Sequence, residues 1–449
     1  MTIIFYDDES KDNILAGKIL YLLPNKWIMR NFFIFMAAVL SSLLVFSCEE
    51  ESPYPPYKGS GRVVVVYISA NNNLSNYDDA EFGVSYADTN YVAMLEGYLP
   101  AQGSGERLLV FFHTVDDSPR LVELSRDRKG NPVETVVRTF DVESSSTAEC
   151  VGSVLSYVKE SYPSDNYGLI LWSHSTGWLP EGYYENGAPS GYANPADAPT
   201  SPMNHMDVYG NAIVKMAGPG ISPSSFGNDK YTGEEIDIID LAAAIPMHLD
   251  FLIFDSCLMG CVEVAYQFRG VTDYFLASPT EVLANGFPYT HIMEPLFKYS
   301  TESALKEVAD LYFHYYADSN APYATVSVVD CSRLDGLASA CRAIYEENRY
   351  KVPDLDLGAI QPYFRMNKHW FYDLGDFVEN LEPSATLMAD FRSAMDRAVI
   401  FKENTERFIS FEITDFSGLS TYIQKPEEPY LDEYYRGLDW NIATRMIAE

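Results

Sequence analysis

The stretch Phe251-Leu252-Ile253-Phe254-Asp255-Ser256-Cys257-Leu258-Met259-Gly260 reads as a buried β-strand that runs out into a thiol. An apolar run of this length bounded by a turn suits a parallel strand covered on both faces. Ligands of open α/β sheets sit beyond the carboxyl ends of such strands, and Cys257 falls at one. A second stretch, Tyr167-Gly168-Leu169-Ile170-Leu171-Trp172-Ser173-His174, delivers an imidazole in the same way. A thiol and an imidazole at the tips of two strands are the minimal parts for covalent chemistry by cysteine.

Outward from these two runs the alternation continues. Arg62 to Ser69 and Leu108 to His113 read as strands, and Asn71, Asn72 and Asn73 as a polar turn. Thr147 to Tyr162 has helical spacing, with Val151, Val154, Leu155 and Val158 on one face. Tyr274 to Ala277 and Thr325 to Val329 extend the strand series, and Ile236 to Ile245 forms a helix that Pro246 ends. The pattern predicts an α/β fold with a mainly parallel, layered sheet flanked by helices, over residues 61–345. Residues 346–449 alternate less regularly and read as a smaller α+β region, with Tyr372 to Phe377, Phe408 to Ile413 and Ser417 to Ile423 as its elements. Between 178 and 235 the pattern lapses into a Pro-, Gly-, Asn-, Ala- and Ser-rich loop directly after His174. Loops that long are usually functional or disordered.

The chain has 449 residues, enough for a large core. Its formal net charge is −33, from 31 basic and 64 acidic residues. That argues against nucleic acid or anionic membrane faces as partners and is compatible with cationic substrates. The six cysteines form no C-x-x-C pair, so neither a zinc ribbon nor a disulfide framework is indicated. Cys257 and Cys261 would share a face if a helix began at the strand end, with no further ligands nearby; Cys261 reads as a small core residue.

Residues 29–48 place one positive charge before a short apolar run, the layout of an export signal. Val45-Phe46-Ser47-Cys48 resembles a bacterial lipobox, with Cys48 as the lipidated residue, although Phe46 is larger than usual there. Glu49, Glu50 and Glu51 resemble the acidic tract that sends some lipoproteins of the Bacteroidetes to the cell surface. Residues 49–60 read as a tether. Residues 1–28 fit no part of this scheme, and translation is expected to begin at Met29. The expected localisation is therefore the outer membrane or cell surface, with membrane contact only through a lipid anchor.

A thiol attacks a carbonyl as thiolate, and a helix beginning at the strand end would stabilise that charge. His174 supplies the proton that a leaving amine needs. The serine alternatives, Ser173 and Ser175, lack a G-x-S-x-G elbow.

Two blocks, Trp172-Ser173-His174-Ser175-Thr176-Gly177-Trp178 and Phe254-Asp255-Ser256-Cys257-Leu258-Met259-Gly260-Cys261-Val262-Glu263-Val264-Ala265-Tyr266, resemble the signatures of the clostripain family of cysteine peptidases. Ser225 to Asp229, Ala277 to Glu281, Tyr372 to Phe377 and Ser417 to Ser420 resemble it too. The resemblance implies a caspase-like fold, a Cys257–His174 dyad with no required third member, and cleavage after Arg or Lys. It implies an oxyanion site from backbone N–H groups near Cys257 and Gly177. Asp255 matches an acidic position in the pocket for the basic side chain, where a carboxylate suits Arg; an N-cap of the following helix is its other reading. Glu281 is a second candidate for that pocket. Ser175 departs from the family's usual Gly after the histidine. Some relatives cut themselves after a basic residue, for which Lys215 and Lys230 are candidates here. No cofactor is needed for the chemistry. Some relatives need calcium; Asp237 and Asp240 are acidic candidates without the spacing of a calcium loop. The expected protein is a monomeric endopeptidase acting on peptide or protein substrates. The alternative is a caspase-like lipoprotein without turnover that binds peptides or surface components.

Overall fold

A computed structural model describes residues 61–75, 85–180, 226–229, 231–364, 370–425 and 428–448. The signal, the tether, Cys48, Lys215, Lys230 and most of the 178–235 loop lie outside the described residues. All described residues belong to one compact unit, Tyr54–Glu449.

Among them, nine strands form one sheet: β1 Val63–Ala70, β2 Arg107–Thr114, β3 Arg120–Arg126, β4 Pro132–Thr139, β5 Tyr167–Trp172, β6 Leu249–Asp255, β7 Thr272–Ala277, β8 Thr325–Asp330 and β9 Val399–Asn404. Their spatial order is β9-β8-β7-β6-β5-β1-β2-β3-β4. The five central strands β2, β1, β5, β6 and β7 are parallel. Both edges turn antiparallel, with β3 and β4 on one side and β8 and β9 on the other. Every residue of β1 and β5 is buried, which is why the central strands are continuous apolar runs instead of alternating ones. β9 comes from the C-terminal region and completes this sheet, so that region is built into the same unit.

Helices flank the sheet. α1 (Tyr86–Glu96) packs on α5 (Tyr289–Lys298), and α5 on α6 (Thr301–Ala317). α2 (Ala148–Ser161) packs on α3 (Ile238–Ala244), and α3 on α4 (Val262–Phe268). α7 (Leu334–Asn348) meets α9 (Ala385–Ala398) and α11 (Asp439–Thr444); α8 is Leu374–Asn380 and α10 is Pro429–Arg436. α2 shows the local logic. The Thr147 hydroxyl accepts from the Cys150 N–H and starts the helix, and Cys150, Val151, Val154, Leu155 and Val158 face the core.

The β5–β6 pair carries the site, and one glycine sets its spacing. Gly168 pairs with Phe251 in register, and a Cβ on Gly168 would fall 2.0 Å from the Phe251 ring. The absent side chain lets the ring lie across β5.

Candidate active site

Trp172 of β5 is in register with Asp255 of β6. His174 and Cys257 each lie two residues beyond that pair, on adjacent parallel strands about 4.8 Å apart. The sheet therefore brings the imidazole turn and the thiol turn together, as the two sequence blocks require.

The turns also touch directly. The Ser175 hydroxyl donates to the Cys257 carbonyl at 2.5 Å. The next peptide is fixed as well, because the Leu258 N–H donates to the Thr280 carbonyl at 2.9 Å. Leu258 holds φ at 62°, a left-handed conformation that costs a branched side chain energy and clusters at functional sites. Gly177 has φ 65°, and a Cβ there would sit 2.8 Å from the Leu258 carbonyl oxygen and 2.7 Å from the Phe371 ring. Only glycine fits that crossing.

Cys257 Sγ accepts from the Val282 N–H at 3.2 Å and lies 3.6 Å from the Val282 carbonyl. His174 Nε2 lies 2.7 Å from Asn73 Oδ1. An amide oxygen only accepts, so Nε2 carries the proton, and in the neutral ring Nδ1 is left as the proton acceptor. Both Cys257 and His174 are fully buried. In this arrangement the sulfur has no solvent-exposed face.

The helix after β6 starts later than the sequence suggests. α4 begins at Val262 with Cys261 as its N-cap, so Cys257 sits in the preceding turn and not at the helix end. Cys261 is buried, and burial pushes its thiol well up, as suits a core residue. Asp255 does not cap the helix either. Its carboxylate accepts from the Phe287 N–H at 3.2 Å and the Tyr289 hydroxyl at 2.9 Å. Glu281 is buried in the loop whose next residue, Val282, meets the sulfur. Asp237 accepts from the Tyr434 hydroxyl, and no group of three metal-ligating side chains occurs among the described residues.

A second histidine and cysteine share a polar seam. His113 Nδ1 bonds to Ser145 Oγ at 2.9 Å, while the Tyr67 hydroxyl donates to the Ser145 carbonyl and lies 3.3 Å from Cys150 Sγ. Burial pushes the Cys150 thiol up to about 11 and pulls His113 down. Both groups are held neutral, the opposite of what activates a thiol nucleophile.

A sheet of this topology with cysteine and histidine turns at adjacent strand ends defines a cysteine peptidase of caspase-like fold. The chain belongs to the clostripain family, whose model matches residues 66–191 and 205–435. Clostripain of Hathewaya histolytica is 25% identical over 248 residues, which make up 51% of this chain but only 41% of that protein. An inactive zymogen C11 protease from Parabacteroides distasonis has a TM-score of 0.68 and 29% identity. A secreted C11 cysteine protease from Bacteroides thetaiotaomicron, bound to an irreversible peptide inhibitor, has a TM-score of 0.67 and 26% identity. Each match covers 86% of this chain and 99% of the other.

Proposed function

We propose that the protein is an exported cysteine endopeptidase that acts through Cys257 and His174 and cleaves after Arg or Lys. The observation that carries this reading is the register that aligns the two turns across β5 and β6. The thiol S–H bond breaks as Nδ1 of His174 takes the proton, and the thiolate attacks the scissile carbonyl. Backbone N–H groups near Cys257 and Gly177 hold the oxyanion. The imidazolium returns its proton to the leaving amine, and water releases the acyl group.

Full burial of the sulfur favours a precursor state, like the inactive zymogen that this chain resembles. A cut after Lys215 or Lys230 is our reading of how the site opens. Asp255 supplies negative charge for a basic side chain. The Tyr312 hydroxyl, buried and without a hydrogen-bond partner among the described residues, offers an acceptor beside it. Asp255 and Cys257 both act electrostatically on that hydroxyl. Export is supported by the secreted relative, and anchoring through Cys48 is part of the same proposal. The net charge of −33 disfavours nucleic acid, and we expect a monomer that needs no cofactor for the chemistry.

Cys257→Ala should abolish cleavage of basic peptides while the melting temperature stays close to that of the parent. Full activity in that variant sinks the assignment. Asp255→Asn retains an acceptor for Phe287 and Tyr289 but removes the charge. We expect kcat/KM for Arg and Lys substrates to fall at least about tenfold, the scale of one charge-assisted contact, with neutral substrates little affected. An equal fall for both substrate classes would remove Asp255 from the pocket. A protein that binds peptides without cutting any in a positional scan, before and after loop cleavage, would support the lipoprotein alternative.

A further inference from the structure

We propose that Asn73 is a positioning residue for His174, a third member of the site that holds the imidazole in the tautomer the reaction needs. The proposal rests on the reading of Cys257 and His174 as the reacting pair. It arises from the end of β1, where three consecutive asparagines have three different tasks. Asn71 donates to Asp229 Oδ2 at 2.8 Å. Asn72 donates to the Asn228 carbonyl at 2.9 Å, and its own amide oxygen accepts from the Leu74 N–H at 3.0 Å. Both side chains fasten the end of β1 to the segment Phe226–Asp229. That segment is in turn fastened to the histidine turn, because the Gly227 N–H donates to the His174 carbonyl at 2.9 Å. A Cβ on Gly227 would meet Ser146 Oγ at 2.6 Å, so the segment fits closely where it crosses.

The scaffold leaves Asn73 to face the ring. Its Oδ1 meets Nε2 at 2.7 Å, a short and well-placed bond. Rotating the imidazole, or moving its proton to Nδ1, breaks that half-buried bond. With Nε2–H fixed, Nδ1 is the basic nitrogen of the neutral ring. When Nδ1 takes a proton the ring becomes cationic, and the bond from Nε2–H to Asn73 strengthens because its donor is now charged. Asn73 thus acts through His174 and touches neither substrate nor sulfur. The bonds of Asn71 and Asn72 fasten the end of β1 to Asn228, Asp229 and Leu74. An asparagine is neutral in every state of the cycle, so it orients the ring without fixing its charge.

The test uses the full chain with its histidines labelled with ¹⁵N, activated as the wild type is. His174→Gln identifies the His174 imidazole signals. In the wild type they should report the Nε2–H tautomer. Asn73→Ala should mix the two tautomers and lower kcat about tenfold, the scale of one lost hydrogen bond, with KM little moved. Asn73→Asp keeps an acceptor and should restore the Nε2–H signature and most of kcat. Asn72→Ala should change thermal stability but not the tautomer. If Asn73→Ala keeps both the wild-type tautomer and kcat, or if Asn73→Asp is as impaired as Asn73→Ala in both, the proposal is overturned. Should Asn73→Ala fail to fold, the Asn73→Asp spectrum and kcat decide alone. Activity surviving in Cys257→Ala or His174→Ala would instead strike down the dyad, a result separable from any behaviour of Asn73.

Discussion

Ser175 joins the two turns of the site through one hydroxyl, and its removal has a definite cost. Ser175→Ala leaves the Cys257 carbonyl without its buried donor. We expect a stability loss of about 1 kcal/mol, the usual worth of such a bond, read from the denaturant midpoint at unchanged slope. Ser175→Thr keeps the hydroxyl and should lose less; a Thr variant no better than Ala would show that the bond contributes nothing. At this scale the sequence was informative about chemistry and silent about orientation. His174 and Cys257 stood out because an apolar strand that ends in a reactive side chain is conspicuous. Asn73 did not, because an asparagine in a run of three reads as turn chemistry, and only its distance to Nε2 separates it from Asn71 and Asn72. The true start of α4 was equally hidden: its N-cap, Cys261, makes no side-chain capping bond, while Asp255 and Ser256 are the residue types that cap a helix, and a helix start was assigned beside the sulfur, five residues too early.

The contact between β5 and β6 depends on a missing side chain. Adding a methyl at Gly168 places it inside the Phe251 ring, so Gly168→Ala should destabilise by about 1–3 kcal/mol, the range for overpacked cores. Shrinking the ring partner should recover part of that. Gly168→Ala with Phe251→Leu is therefore expected to be more stable than the sum of the two single changes allows, a positive coupling measured by a double-mutant cycle. Strict additivity would mean that the ring moves aside freely. The five central strands were legible for the reason this pair packs tightly: burial on both faces writes a continuous apolar run. The edges were not. β4 is largely exposed and shows no such run, and the only mark of the β3–β4 hairpin is its turn, where Asp127 Oδ1 accepts from the Lys129 and Asn131 N–H groups and Gly130 holds φ 85°. Strand direction leaves no trace in composition either, so the antiparallel edges β3, β4, β8 and β9 could not be told from parallel ones.

Across the whole molecule, the C-terminal region is stitched to the helix that follows the nucleophile by one buried acid. Glu263, in the first turn of α4, accepts through Oε1 from the Thr421 hydroxyl, the Tyr422 N–H and the Tyr435 hydroxyl. Its Oε2 has no hydrogen-bond partner among the described residues. Burial raises its pKa above the ordinary value of 4.5, and these donors offset the rise only in part. The folded chain therefore holds a proton that the unfolded chain gives up near pH 4.5. Between that pH and the raised folded value the native state binds more protons than the unfolded one, so stability must fall as pH rises and then level off. Asp250, Asp376 and Asp432 are raised by burial as well and add slopes of the same sign. Glu263→Gln keeps an acceptor for the three donors and has no proton to lose. Its melting temperature should therefore exceed that of the parent at neutral pH, with the gap closing as pH approaches 4.5. A constant offset between Glu263→Gln and the parent from pH 4.5 to 8 would show that the carboxyl has the same proton affinity folded and unfolded, and that the stitch is purely geometric.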